Sequence, residues 1–196
     1  MNIFRRCIAL VMLLASASIA TATTWKLDVA HSSVRFSVSH LVISEVMGSF
    51  GKFDATMESQ AEDFSDAKIN ATINTASIDT ENEKRDGHLR SDDFFNAEKF
   101  PEIRFVGTTI EKTGSDTYAI TGTLTIRDST RTVVLNTQYK GSVVDPWWNT
   151  QAVFKATTSI NRFDFGLRWN TAMETGGLVA GETVEIMLLL EFTKQP

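Results

Sequence analysis

Cysteine, proline and histidine are scarce in this chain, with one, three and three copies in 196 residues. The only cysteine, Cys7, lies near the N-terminus, so a domain that follows it has no disulfide and must be stabilised by its core. No apolar run reaches the roughly 17–25 residues of a transmembrane helix. We therefore expect a single domain without an integral membrane segment.

The N-terminus has the pattern of an export signal. Arg5 and Arg6 precede the short apolar run Ile8–Ala20, and Ala20-Thr21-Ala22 is a small-residue cleavage pattern. We expect residues 1–22 to be a cleaved signal peptide, residues 23–196 to form one domain, and the protein to be located in the periplasm. An uncleaved membrane anchor is the alternative, although the run is short for one.

Positive charge is also limited. The chain has 19 Lys and Arg against 24 Asp and Glu, a net charge of −5, and removal of Arg5 and Arg6 would make the remainder more acidic. An acidic protein is a poor candidate for binding nucleic acid or anionic membrane surfaces. We therefore expect no nucleic-acid partner.

The spacings typical of metal and catalytic sites are missing from the sequence. It contains no H-x-x-x-H, C-x-x-C or H-E-x-x-H pattern and no G-x-S-x-G elbow. Asp28, His31 and Ser32 resemble a triad only in composition, and capping of the backbone before a strand explains them better. We predict no metal ion, no cofactor and no catalytic residues.

Alternation of apolar and polar residues is the dominant pattern. It runs through 34–38, 69–73, 120–126 and 154–160, and it predicts about seven or eight strands with no βαβ rhythm. Gly48 and Gly51 indicate bends in a strand. These bends and the tight turns favour an antiparallel barrel over a β-sandwich. The run Met187–Leu190 predicts a strand that is covered on both faces.

The segment Arg85–Phe95 departs from this alternation and predicts a short helix. Thr80 and Glu83 form a capping-box pattern at its start, and Pro101 would end it. A lone helix among strands is typical of a lid on a barrel. Its charged residues are candidates for contact with a ligand head group, since arginine suits phosphate: Arg85, His88 and Arg90. Alternatively, Arg85 pairs with Asp86 or Glu81 on a solvated face.

Several motifs, in their order and spacing, resemble those of the YceI-like family, which is described as polyisoprenoid-binding, lipocalin-like and periplasmic. The resemblance extends from about Trp25 to Phe192. The motifs are Asp28–His40, Gly48–Phe53, Ser77–Thr80, Arg85–Phe95, Gly122–Ile126, Asp145–Trp147, Ile160–Gly166 and Gly181–Val184. Trp148 departs from the family pattern, in which a glycine follows Asp-Pro-Trp.

The resemblance implies an all-β fold, an extended antiparallel eight-stranded lipocalin-like barrel with one short helix capping an end. It also implies a periplasmic lipid-binding protein that holds a polyisoprenoid chain, as a quinone or a polyprenyl phosphate, for transport, storage or sequestration, with a link to stress responses and no catalysis. Candidate wall residues taken from the matching motifs are Phe36, Val38, Phe50, Phe53, Phe94, Phe95, Phe105, Leu124, Phe163 and Phe165.

Two other functions remain open at this point. One is an enzyme that acts on a lipid head group through His88, Arg85 and Asp86. The other is a barrel filled by its own side chains that serves as a protein-interaction module, because sequence phase does not separate a filled interior from a hollow one. The sequence also leaves open a homodimer and respiratory or membrane proteins as donors and acceptors of the ligand.

Overall fold

The computed structural model describes residues 21–41, 43–170 and 179–196. Within these ranges, no helix has the length and apolarity that a membrane crossing requires. The one α-helix is α1 (Glu83–Arg90), and 3-10 turns cover Thr75–Ser77 and Arg162–Phe165. The strands are β1 (Thr23–Leu27), β2 (Ser33–His40), β3 (Ser44–Phe50), β4 (Phe53–Ser59), β5 (Lys68–Asn74), β6 (Ile78–Asp79), β7 (Glu102–Lys112), β8 (Thr117–Ile126), β9 (Ser129–Val144), β10 (Thr150–Asn161) and β11 (Ala180–Lys194).

Eight strands close into a ring in the order β1-β4-β5-β7-β8-β9-β10-β11, and β1 pairs back onto β11. The pairs are antiparallel, as the short connections between successive strands require. The predicted all-β, eight-stranded antiparallel barrel is confirmed.

Strand β11 is long enough to hold two partners on the same edge. Its first part pairs with β2 through Val184↔Val38, and its last part pairs with β1 through Phe192↔Leu27. Strand β3 pairs with β2, and β4 pairs with β1. Gly51, where a bend was predicted, lies between β3 and β4. The first two strands of the chain, β1 and β2, thus pair with different parts of β11. Strand β6 pairs with β3 and so extends the β2–β3 side of the sheet.

The alternation predicted from the sequence is visible as burial along the strands. In β8, Tyr118, Ile120, Leu124 and Ile126 are buried and face the interior. Strand β11 shows the same period. Its Met187 and Leu189 are 43 % and 40 % exposed, so the prediction that this strand is covered on both faces is wrong. On the outer face of β11, Met187 and Leu189 lie between Glu185 and Glu191, and no layer packs over them among the described residues.

Helix α1 lies against β6 and begins differently from the prediction. Its N-cap is Asn82, whose side chain accepts the Arg85 N–H at 3.0 Å, so the Thr80 capping box is wrong. The helix ends at Arg90 with Ser91 as its C-cap, and Pro101 does not end it. Thr80 instead donates its backbone N–H to the buried Asp86 carboxylate at 2.9 Å.

The β9–β10 hairpin ends in the turn that carries Trp148. The Asp145 carboxylate organises this turn by accepting the N–H groups of Trp147 and Asn149 at 2.9 and 2.8 Å. Trp148 has a φ of +70° and is 87 % exposed. Left-handed backbone favours glycine, which is the residue that the family pattern has at this position.

We predict that Trp148→Gly stabilises the protein. A left-handed conformation costs a residue with a Cβ about 1–2 kcal/mol, and glycine adopts it without this cost. Because glycine also adds unfolded-state entropy, the expected net gain in the free energy of unfolding is about 0.5–1 kcal/mol. Urea unfolding measures the difference. Trp147→Gly is the matched control, since Trp147 is 78 % exposed at negative φ, and it should be slightly destabilising. A loss of stability in Trp148→Gly comparable to that in the control would contradict the explanation.

Candidate binding cavity

The barrel encloses a cavity of about 620 Å³, which lies within the roughly 300–1,000 Å³ of typical ligand sites. Its wall is predominantly aliphatic and aromatic and is contributed by strands from all around the ring. The side chains that face it from β8, β10 and β11 illustrate this composition: Tyr118, Ile120, Leu124, Ile126, Phe154, Ala156, Ile160, Val184, Ile186, Leu188, Leu190 and Phe192.

The cavity is elongated along the strands. On β10, every second residue from Phe154 to Ile160 lines it, and Arg162 continues the same phase in the following 3-10 turn. The six steps from Phe154 to Ile160 correspond to about 20 Å along the extended strand. A long, narrow apolar space of this kind suits a chain-shaped ligand better than a compact one.

Small residues keep this interior hollow. Ala55, Ala71 and Ala156 face the cavity at positions where larger side chains would fill it. Gly48 leaves room for the ring of Phe36, because a Cβ at that glycine would lie 2.4 Å from Phe36 Cζ. The aromatic ring can therefore lie against the wall and not across the lumen.

Phe64 closes the end of the barrel that is distant from α1. It comes from the turn between β4 and β5, is 6 % exposed and packs edge-on against three rings, those of Trp25, Tyr139 and Phe154, at centroid distances of 5.2–5.5 Å. Its φ of +59° is uncommon for a bulky residue, which indicates that the surrounding contacts hold it there.

Two carboxylates shape the turn that presents Phe64. Asp66 accepts the backbone N–H groups of Gln60 and Ala61 at 3.0 and 3.1 Å. Asp63 accepts a hydrogen bond from Lys112 at 2.9 Å, and this bond is the main reason why the pKa of Asp63 is lowered to about 2.

The opposite end of the cavity, called here the mouth, is formed by α1, β2 and the segment after β10. His88 of α1 donates from Nε2 to the Asp93 carboxylate at 2.9 Å, and its ring packs edge-on against Phe94 and Trp169 at 5.1 and 4.9 Å. The three rings form an aromatic cluster at the mouth, and all three residues contribute to the cavity lining.

The structure separates the candidate residues from the sequence into two groups. Those that contribute to the lining are Phe36, Val38, Phe50, Phe53, Phe94, Phe95, Phe105, Leu124, Arg85 and His88. Phe163, Phe165 and Arg90 do not contribute to the lining that the described residues form. Phe165 is 1 % exposed within the core, and Arg90 donates to the carbonyl oxygens of Ala76 and Ile78, both at 3.0 Å.

The lining residues that sequence reasoning missed include Phe64 and Arg162. A single aromatic side chain within the polar run Glu62–Asp66 was a signal for Phe64, since such a residue has no reason to remain in water. The β10 phase was a signal for Arg162, because it extends Thr158 and Ile160 by one further step. Burial lowers the pKa of Arg162, and Glu182 opposes this shift electrostatically.

Asp28 and His31 lie outside the cavity lining, at the corner between β1 and β2. Asp28 accepts the Ala30 N–H at 2.9 Å and bonds to His31 Nδ1 at 2.9 Å, which lowers the pKa of Asp28 and raises that of His31. Ser32 Oγ accepts the Glu191 N–H. These bonds fit the interpretation that Asp28, His31 and Ser32 cap the backbone before a strand.

A closed barrel around an apolar cavity, with a helix across one end, has the architecture of a binding protein. The model of the YceI-like domain matches residues 25–192. The chain belongs to the YceI-like family, as the motifs in its sequence predicted.

Similar proteins agree with this assignment. A UPF0312 protein of Staphylococcus aureus strain MSSA476 is 37 % identical over 172 residues, which cover 87 % of this chain and 98 % of that protein. The crystal structure of a Campylobacter jejuni YceI protein has 30 % identity and a TM-score of 0.69 over 81 % of this chain and 90 % of its own. A Saccharophagus degradans structure described as a polyisoprenoid binding domain has the same fold, with 16 % identity, a TM-score of 0.65 and coverage of 87 % and 98 %.

We predict that Lys112→Gln raises the pKa of Asp63 from about 2 toward its ordinary value of 3.8, because the hydrogen bond from Lys112 is the main cause of the shift. Since the folded pKa is depressed, the stabilisation from this pair is present above pH 3.8 and is lost as the pH falls through about 2. Carboxyl NMR titration measures both proteins. Lys155→Gln, at an exposed lysine of β10, is the control, and an unchanged Asp63 midpoint in Lys112→Gln would refute the assignment.

Proposed function

We propose that this protein is an exported carrier that holds the polyisoprenoid chain of a lipid, such as a quinone or a polyprenyl phosphate, inside its barrel. The observation that carries the proposal is the continuous apolar cavity that runs from Phe64 to Arg162. An apolar chain in water costs about 25 cal/mol per Å² of exposed surface. A barrel that shields such a chain achieves transport, storage or sequestration without covalent chemistry.

Two further observations support this function. The cavity is long and narrow, which matches a linear run of isoprene units better than a compact metabolite. A protein with the same fold, from Saccharophagus degradans, is described as a polyisoprenoid binding domain. The N-terminal pattern supports location in the periplasm, where donor and acceptor proteins of the respiratory chain or membrane would exchange the lipid. A stress-linked role belongs to the same proposal.

The filled-barrel alternative requires an interior without space for a ligand. The cavity of about 620 Å³ favours the carrier over that alternative. The enzyme alternative requires His88 and Asp86 to act together. His88 bonds to Asp93, whereas the Asp86 carboxylate accepts the N–H and hydroxyl of Thr80, so the two do not form a hydrogen-bonded pair.

The test is native mass spectrometry of the protein purified from the periplasm without detergent, followed by lipid extraction. We expect an adduct of isoprenoid mass in the wild type and about a tenfold or greater loss of bound lipid in Leu124→Arg, since a buried charge in the apolar wall is strongly unfavourable. Thr123→Arg places the same side chain on the outer face of β8 and should retain the lipid.

A second pair of variants tests the same cavity if Leu124→Arg does not fold. Ala156→Phe fills the lumen, and Thr157→Phe places the same ring on the outside of β10. A protein that stays free of lipid after incubation with both quinones and polyprenyl phosphates would argue against the carrier function. So would equal retention of lipid in the inward and outward variants.

A further inference from the structure

Arg162 is a buried cation at the mouth of an apolar cavity. The side chain is 4 % exposed and lies in the inward phase of β10. Among the described residues, its guanidinium donates to backbone carbonyl oxygens alone, at 2.7 Å to Gly181, 2.9 Å to Trp169 and 3.1 Å to Ala180, with a further bond to Leu167. These bonds satisfy most of its donors, but carbonyl groups are neutral and leave the charge uncompensated.

No described carboxylate forms an ion pair with Arg162. Glu182 acts on it electrostatically, but Glu182 is exposed, and the partner that its carboxylate contacts is the Asn161 side chain at 3.5 Å. Arginine is almost never fully buried without a counter-charge. Among the described residues, the position is therefore a buried cation that a ligand anion could pair with.

Arg85 supplies a second cation to the same cavity. Its Nε and Nη2 donate to the hydroxyl and carbonyl oxygens of Thr80, each at 2.7 Å. These two bonds hold the guanidinium in place and leave the Nη1 hydrogens without a bond to any described residue. Asp86 is linked to Arg85 only through the Thr80 hydroxyl, and it does not form a direct ion pair with it.

The charges of the lining are strongly biased toward the positive in a protein whose net charge is −5. Asp54 is the only acidic residue among the described residues of the lining, and its side chain is exposed on the outer phase of β4. Among the lining residues, the charged or titratable side chains that are buried or half-buried include Arg85, Arg162 and His88 but no carboxylate. Such an arrangement focuses positive potential at the mouth.

We propose that the ligand of this cavity carries an anionic head group of the phosphate class, which lies at the mouth against Arg85 and Arg162 while its isoprenoid chain extends toward Phe64. This inference rests on the proposed carrier function and selects between its two ligand types. A neutral quinone offers these cations no charge, whereas a phosphate monoester offers several acceptor oxygens to the N–H groups of the arginines that have no bond to a described residue.

The experiment compares two probes that share one tail, geranylgeranyl phosphate and geranylgeraniol, by tryptophan fluorescence or calorimetric titration of the delipidated protein. We expect the phosphate to bind about tenfold tighter or more, because hydrogen bonds to charged groups are the strong ones. Added salt should weaken binding of the phosphate and leave binding of the alcohol almost unchanged.

Arg85→Gln should remove most of this preference while leaving the affinity for the alcohol intact. Arg90→Gln is the matched control, since Arg90 lies on the same helix but does not itself contribute to the lining that the described residues form. Arg162→Lys, which retains a charge with fewer donors, should weaken the phosphate selectively. If the Arg162 variant does not fold, the comparison of Arg85→Gln with Arg90→Gln tests the proposal alone.

The outcomes distinguish this inference from the function on which it rests. Equal affinity for the two probes in the wild type would overturn the anionic head group and leave the carrier intact. Failure of both probes to bind would overturn the carrier function and this inference with it. A preference for phosphate that survives unchanged in Arg85→Gln and Arg162→Lys would overturn the assignment of the site to these arginines.

Discussion

Closure of the sheet is the constraint on which the rest of this structure depends. When β1 pairs with β11, every second side chain of eight strands must enter one enclosed volume. Whether that volume is solid or hollow then depends on side-chain size alone. Alanines at inward positions, such as Ala71 and Ala156, and the glycine beneath the Phe36 ring leave space that the remaining side chains do not fill. The cavity is thus a consequence of the same alternation that forms the barrel.

The two ends of the cavity differ in chemistry because different kinds of segment close them. A short turn held by Asp63 and Asp66 inserts Phe64, and the resulting floor is aromatic, with no described cation in the cavity lining beside it. At the mouth, a helix and a 3-10 turn bring Arg85 and Arg162, since segments outside the strand period can place polar side chains at the rim. The barrel therefore has a direction, and a ligand with one polar end has one favourable orientation within it.

Strand phase predicted much of the fold and of the cavity wall, because period-two alternation persists through a barrel. Leu124 is an example, since its neighbours in β8 determine which face it occupies. Prediction was weaker wherever the period ends. Phe165 shares a motif with the wall residues but lies in a 3-10 turn that directs it into the core. Phe64 and the left-handed Trp148 depend on turn geometry, which is determined by contacts that the sequence does not display.

The buried charge of Arg162 also bears on how the carrier would hold its ligand. The bonds from Arg162 to four backbone carbonyl oxygens give the fold a use for its donors, but they do not balance its positive charge. A ligand that supplies an anion compensates this charge only when bound, which makes the bound state more stable than the free one by mass action. A neutral ligand would leave the same cost in both states. The donors of Arg162 thus hold the surrounding backbone, and its charge would in addition favour a ligand with a charged head group.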